Sequence, residues 1–297
     1  MVKPPTLRSL KWSTYGGIVC AFAVCSATAA PATPAFRTLV FTFVDRTRTI
    51  ALPDGKRVPR SLETIVRDPV LGGPHPLIVF AHGFALTPAT YGGLLSAWAR
   101  AGYVVAAPAF PLEKADALGG PSQSDLVNEP GDVRFVISRL LNLDARPGGV
   151  LHHTIDPARI AVAGHSDGGV TALAVAYDRR FRDARLRAAI VLSGAELPGM
   201  GSFPPRGPPL LAVQGTADPI NAPATTAAYF GRAHRPKFLL WLLGASHRPP
   251  YTTEQPQLGI VEDATIAFLD HYLRGAPLRA LDRAAQRAGI TRLTADP

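Results

Sequence analysis

Apolar positions along this chain fall into two regimes. Between Phe36 and Val66, two segments of alternating apolar and polar residues, Leu39 to Val44 and Leu62 to Val66, flank Pro53-Asp54-Gly55. Alternation with a period of two around a Pro/Asp/Gly turn predicts a hairpin with one face buried. Beyond it come short continuous apolar runs: 77–81, 103–107, 160–163, 188–192, 210–213 and 238–242. Such runs suit strands buried on both faces, as in a parallel sheet covered by helices. Longer segments of helical periodicity separate them, about 88–101, 131–143, 168–177, 222–231 and 257–274. Six strands alternating with five helices predict an α/β fold, a mostly parallel doubly wound sheet preceded by an antiparallel hairpin.

In such sheets ligands bind at the carboxyl ends of the strands, so chemistry is sought just after each run. After the run at 160–163 stands Gly164-His165-Ser166-Asp167-Gly168-Gly169. A G-x-S-x-G between a predicted strand and a predicted helix has the form of a nucleophile elbow. Small residues two positions either side let the turn tighten while the serine projects above the sheet.

A serine hydroxyl needs a base within hydrogen-bond reach and a carboxylate to orient that base. Asp218 follows the run at 210–213, and His247 follows the run at 238–242. Of the other histidines, His152 and His153 fall at the amino end of a strand, and His234 and His271 lie in or near helices. His165 adjoins the serine and is expected to point elsewhere, and His82 is expected to make a structural hydrogen bond. Glu196, after the run at 188–192, is the rival acid; a pocket wall or a loop hydrogen bond is its expected role.

Two backbone amides are needed to receive a developing oxyanion. The residue after the serine, Asp167, supplies one, and Phe84 in Ala81-His82-Gly83-Phe84-Ala85 is the candidate for the other. A carboxylate beside an anion site is unfavourable unless it turns away or is paired, so only the Asp167 backbone is assigned a role. Phe84, His165 and Glu196 are the expected pocket-lining side chains.

The amino terminus changes the charge picture. Lys3, Arg8 and Lys11 precede an apolar stretch from Tyr15 to about Ser26 and then Ala27-Thr28-Ala29. A basic segment, a hydrophobic segment and an A-x-A site predict a secretory signal peptide over residues 1–29, followed by one domain over residues 30–297. The expected location is outside the cell or in the periplasm or cell envelope, the alternative being a lipid or membrane anchor at the N-terminus. The uncharged run from Trp12 to Phe36 holds two glycines and two prolines, a poor match to a spanning helix.

The full chain carries 31 Lys and Arg against 22 Asp and Glu. Residues 1–29 hold three of those cations, no anion and both cysteines, so the remainder carries +6 and no thiol. A disulfide framework or a cysteine nucleophile is excluded for it. The densest basic group, Arg179, Arg180, Arg182, Arg185 and Arg187, has no interleaved aromatic stripe of the kind that nucleic acid requires. His152, His153 and Asp156 lack a spaced ligand set, so no metal is expected.

Pro76 to Phe84, Gly102 to Pro108 and Gly164 to Gly169 resemble the α/β-hydrolase superfamily. Within it they are similar to the group that holds dienelactone-hydrolase-like, chlorophyllase-like and platelet-activating-factor acetylhydrolase-like proteins and polyester hydrolases. The resemblance runs from about Pro76 through Phe268 to Leu273. It implies an α/β-hydrolase fold, Ser166 as nucleophile, Asp218 as acid, His247 as base, Phe84 and Asp167 as oxyanion amides, and no cofactor. The implied activity is ester hydrolysis on a small-molecule, lipid or polymer ester. True dienelactone hydrolases carry cysteine where Ser166 stands. Only about 15 residues, Gly194 to Pro208, occupy the place where many lipases insert a cap, so no large cap domain is expected. Pro108 to Asp132 is the other loop long enough to shape a pocket.

Overall fold

In the computed structural model the described residues are 35–70 and 72–297, together with Met1. The expected signal peptide therefore lies outside the described residues, apart from Met1. The hairpin is β1 (Phe36–Ala51) and β2 (Arg57–Pro69), paired antiparallel with a register shift between Asp45 and Thr49. β2 then pairs antiparallel with β4 (Val104–Pro108), which joins the hairpin to the main sheet.

The remaining strands are β3 (His75–Ala81), β5 (Ile155–His165), β6 (Leu186–Leu192), β7 (Leu210–Gly215), β8 (Lys237–Leu242) and β9 (Thr291–Asp296). Their order in the sheet is β1-β2-β4-β3-β5-β6-β7-β8-β9, parallel from β4 through β8 and antiparallel at both ends.

The helices are α1 (Gly92–Arg100), α2 (Glu129–Asp144), α3 (Asp167–Tyr177), α4 (Pro223–Arg232), α5 (Gln257–Arg274) and α6 (Arg279–Ala285). Alternation along the strands explains why their runs are continuously apolar. Leu77, Val79 and Ala81 join one core with Val133 and Ile137 of α2 and Leu173 of α3. Ile78 and Phe80 face the other core, with Leu95 and Trp98 of α1 and Phe268 of α5. Burial on both faces leaves no room for a polar side chain until each strand ends, which is where the polar residues gather.

Two elements escape the periodicity reading. β9 reads Thr-Arg-Leu-Thr-Ala-Asp, and only Leu293 packs on a core. An edge strand with one covered face carries no apolar run to detect. α6 is short and hides only Leu281 and Ala285 completely. The β6–β7 connection contains no helix, so no cap domain covers the sheet there. No described helix is long and apolar enough to cross a membrane.

Candidate active site

The turn from β5 into α3 is the centre of the site. Ser166 sits at φ 57°, ψ −122°, a conformation that L residues avoid and that is retained here by its surroundings. Packing of bare backbone explains the flanking glycines. A Cβ on Gly164 would lie 1.9 Å from the Gly168 carbonyl oxygen, and one on Gly168 would lie 2.1 Å from that of Ala81. No side chain fits at either position.

Around Ser166 three distant side chains meet. The Ser166 Oγ lies 2.9 Å from His247 Nε2, and His247 Nδ1 lies 2.8 Å from Asp218 Oδ2. A carboxylate can only accept, so Nδ1 carries the proton and Nε2 is left to receive one from the serine. Asp218 Oδ2 also accepts from Gln214 Nε2 at 3.1 Å, and its Oδ1 accepts the backbone N–H groups of Ile220 and Asn221, both at 2.9 Å. Burial alone raises the Asp218 pKa, but the bonds from His247, Asn221 and Ile220 outweigh it and hold the carboxyl below its ordinary value.

The histidine rivals occupy other places. His165 is fully buried; Tyr91 O–H donates to its Nδ1 at 2.8 Å, and its Nε2–H donates to the His247 carbonyl at 2.9 Å. Burial, reinforced by the nearby His247, brings its pKa down to about 3, so the ring is neutral with a fixed tautomer. It lines the Ser166 cleft as a prop beneath the His247 loop. His82 Nδ1–H donates to Gly83 O at 2.9 Å and Nε2 accepts the Phe110 N–H at 3.0 Å; burial brings it down to about 4. His152 and His153 lie just before β5, His234 follows α4, and His271 is on α5.

Gly83 lies against the turn, where an added Cβ would be 3.1 Å from Ser166 Cβ. This close approach seats the loop that holds Phe84. Ala85 follows at φ 52°, with its N–H on the Glu113 carbonyl at 2.9 Å. Among the described residues the backbone N–H groups of Phe84 and Asp167 donate to no protein acceptor.

Two clefts flank the turn. One, of about 380 Å³, is lined by Phe84, Ser166, Ile220 and His247, with Phe84 40% and Ile220 67% exposed. The other, of about 560 Å³, holds Asp167, Gln123, Glu196 and Asn221 among apolar walls. The Asp167 side chain thus turns into this second cleft, where Gln123 Nε2 donates to it at 2.7 Å. Glu196 pairs with Arg232 and does not touch His247.

Gln214, Tyr91 and Glu113 also belong to the surroundings of Ser166, and nothing in the catalytic motifs singles them out. Gln214 is a polar residue terminating an apolar strand run four places before Asp218, which is a usable signal. Tyr91 lies in a 3-10 turn with nothing to distinguish it. Glu113 is one acid in a long loop whose course the sequence does not reveal. Among the described residues no group of three or more His, Cys, Asp and Glu is arranged to hold a metal ion.

A mostly parallel sheet with helices on both faces and a strained serine between a strand and a helix defines an α/β-hydrolase fold. The chain belongs to the chlorophyllase family: the family's model matches residues 43–225, more than half of the chain. That span includes Ser166 and Asp218 and stops short of His247. Chlorophyllase-2 of Arabidopsis thaliana is 27% identical over 150 residues, which is 50% of this chain and 44% of that protein. The chain thus spans less than half the length of this relative. A ferulic acid esterase from Streptomyces cinnamoneus shares the fold, with a TM-score of 0.65 and 23% identity over 90% of this chain and 98% of that one.

Proposed function

We propose that this protein is a secreted serine hydrolase that cleaves carboxylic esters through Ser166, His247 and Asp218. The observation that carries the reading is the unbroken chain from Ser166 Oγ through both His247 nitrogens to a carboxyl held ionised. The family membership and the fold shared with an esterase support the same reaction class.

In this mechanism Ser166 Oγ bonds to the ester carbonyl carbon while its proton passes to His247 Nε2. The carbonyl oxygen becomes an oxyanion, for which the free N–H groups of Phe84 and Asp167 are the available donors. Collapse breaks the bond to the alcohol oxygen, which leaves with the proton from His247. Water then attacks the acyl-enzyme, giving its proton to His247, and the acid departs as Ser166 regains a proton. Asp218 stabilises the imidazolium and fixes its orientation throughout.

Exposed Phe84 and Ile220 on an uncapped cleft favour esters with a bulky apolar part. Lipid, polymer and aromatic-acid esters are in that class, and residues 1–29 direct the protein to the cell envelope or the medium. The test is labelling by a fluorophosphonate probe together with rates on p-nitrophenyl esters from acetate to palmitate, a phospholipid and a feruloyl ester. Labelling is expected to vanish in Ser166→Ala, with kcat down about 10⁶. Labelling that persists in that variant sinks the assignment. A fastest rate on the phospholipid places the enzyme among phospholipid acyl hydrolases instead. Sequencing the exported protein is expected to find Ala30 at its amino terminus.

A further inference from the structure

We propose that Glu113 is a positioning residue for this ester-cleaving site: its main chain holds the Phe84 loop, and its carboxyl holds the turn of Asp167. The inference rests on the hydrolase reading for its catalytic meaning and on packing for its structural one.

Two attachments converge on Glu113. Its carbonyl accepts the Ala85 N–H at 2.9 Å, which anchors the positive-φ residue immediately after Phe84. Its buried carboxyl faces those of Asp167 and Glu129. Both residues whose amides are free to receive an oxyanion are therefore braced by one loop residue. Glu129, at the start of α2, accepts Thr171 Oγ1 of α3 at 2.6 Å and carries the brace into the helix that begins at Asp167.

Two ionised carboxylates cannot hydrogen-bond to each other, since each only accepts. Both Glu113 oxygens and Glu129 Oε1 are buried, and among the described residues no N–H or hydroxyl donor reaches them. Buried oxygens without donors are costly, so protons must lie between the carboxyls for the brace to hold.

The surroundings agree. Facing the trio are Asp125 from the 3-10 turn Gln123–Asn128 and Asp132 from α2, both engaged by Arg60 of β2; Arg48 of β1 is spent on Asp45 and Asp132. Lys114 pairs with Asp116, Tyr91 is an undissociated phenol, and His247 acts on Asp167 from across the turn. Among the described residues no cation pairs with the trio itself. Burial together with the charge of Asp167 pushes Glu113 up to about 7, and burial and Glu113 push Glu129 well above its ordinary value.

The consequence is a brace that works protonated. As pH rises through about 7, Glu113 ionises and the contact with Asp167 turns from hydrogen bond to repulsion. Ground-state binding is untouched, because no member of the trio lines the cleft of Phe84, Ser166, Ile220 and His247; the oxyanion donors lose registry, so kcat falls and KM stays. A misplacement of this kind costs about 10² in rate.

The full-length chain is compared with Glu113→Gln and Glu113→Ala. Rates on p-nitrophenyl butyrate are taken from about pH 5 to about pH 10, across both limbs of a proton-transfer profile. Hydrogen exchange of segment 83–86 and the infrared C=O band of protonated carboxyls are measured alongside. Glu113→Gln, which cannot ionise, is expected to keep kcat near neutrality, lose the alkaline decline and remove intensity from the carboxyl band. Glu113→Ala keeps the carbonyl that holds the Ala85 N–H but frees residue 113 from the carboxyls beneath it, so kcat is expected to fall about 10² at constant KM and the Ala85 amide to exchange faster. An unchanged carboxyl band in Glu113→Gln, or an alkaline limb identical to the parent's, overturns the proposal. Should Glu113→Ala fail to fold, the glutamine variant decides alone. Absence of fluorophosphonate labelling in the parent would defeat the hydrolase reading, and the infrared and exchange results would still decide whether Glu113 braces the loop.

Discussion

Asp218 and Asp167 leave similar fractions exposed, 6% and 8%, and both stand near Ser166, yet the chain surrounds them in opposite ways. Asp218 receives two backbone N–H groups, an amide and the His247 ring. Asp167 receives one amide from Gln123 and faces another carboxyl. Burial raises both; the donors reverse the balance only at Asp218, so its pKa falls below the ordinary value while that of Asp167 rises above it. Exposure alone therefore does not decide ionisation. The balance between burial and the number and kind of donors does.

The difference has opposite signs in stability. Asp218, with a lowered folded pKa, stabilises the fold above the ordinary carboxyl range, and that contribution disappears as pH falls through it. Glu113, raised to about 7, contributes fully below its unfolded value, and the contribution is lost as pH rises toward neutrality.

The sharpest way to break the contrast is Asp218→Asn. An amide in that position has no second acceptor for the His247 Nδ1–H and its own N–H groups clash with the Ile220 and Asn221 donors. The imidazole is then free to take the wrong tautomer, and kcat is expected to fall about 10⁴ with the fold intact. Steady-state rates and a circular dichroism spectrum check both halves; a loss below tenfold would mean that Asp218 does not orient the base.

How much of this was legible in the sequence depends on whether a residue announces itself locally. Ser166 does, because Gly164 and Gly168 are demanded by backbone contacts within the same few residues, and the motif sits between a visible strand and a visible helix. Asp218 and His247 follow strands whose apolar runs are plain, so their rim positions could be read once the sheet was recognised. β9 could not, since an edge strand covered on one side lacks the run. Glu113, Gln123 and Arg60 were also out of reach. Their partners are 16 to 72 positions away, through a loop whose path is fixed only by tertiary contacts.

A second test compares the Glu113 trio with the neighbouring acids that do have a cation. Arg60 is 2% exposed and bonds Asp132 at 2.6 Å and Asp125 at 2.5 Å, tying the hairpin to the loop and to α2. Burial acts to lower its pKa, but the two carboxylates more than reverse that. Arg60→Ala leaves buried Asp125 without its counter-ion and Asp132 with Arg48 alone, and is expected to cost about 3–5 kcal/mol. Urea denaturation at neutral pH measures it. Part of the loss should be regained at acid pH, where Asp132, whose pKa burial raises, takes up a proton; an equal loss at both pH values would assign the effect to packing alone.

The gentlest substitution is Asp167→Asn. Its amide oxygen still accepts from Gln123, and its N–H groups supply the Glu113 carboxyl with the donor that the parent lacks. The backbone N–H at 167 is retained, so kcat near neutrality is expected to stay within about threefold, or ~0.7 kcal/mol of barrier. What changes is the titration. With one negative charge gone and one donor gained, Glu113 ionises at lower pH, and its ionised form is now hydrogen-bonded. The protonated-carboxyl infrared band should disappear at lower pH than in the parent while the alkaline decline in kcat weakens. If both move the opposite way, the carboxyl next to the serine is acting as a charge on the reaction itself, and its likeness to Asp218 is closer than its surroundings indicate.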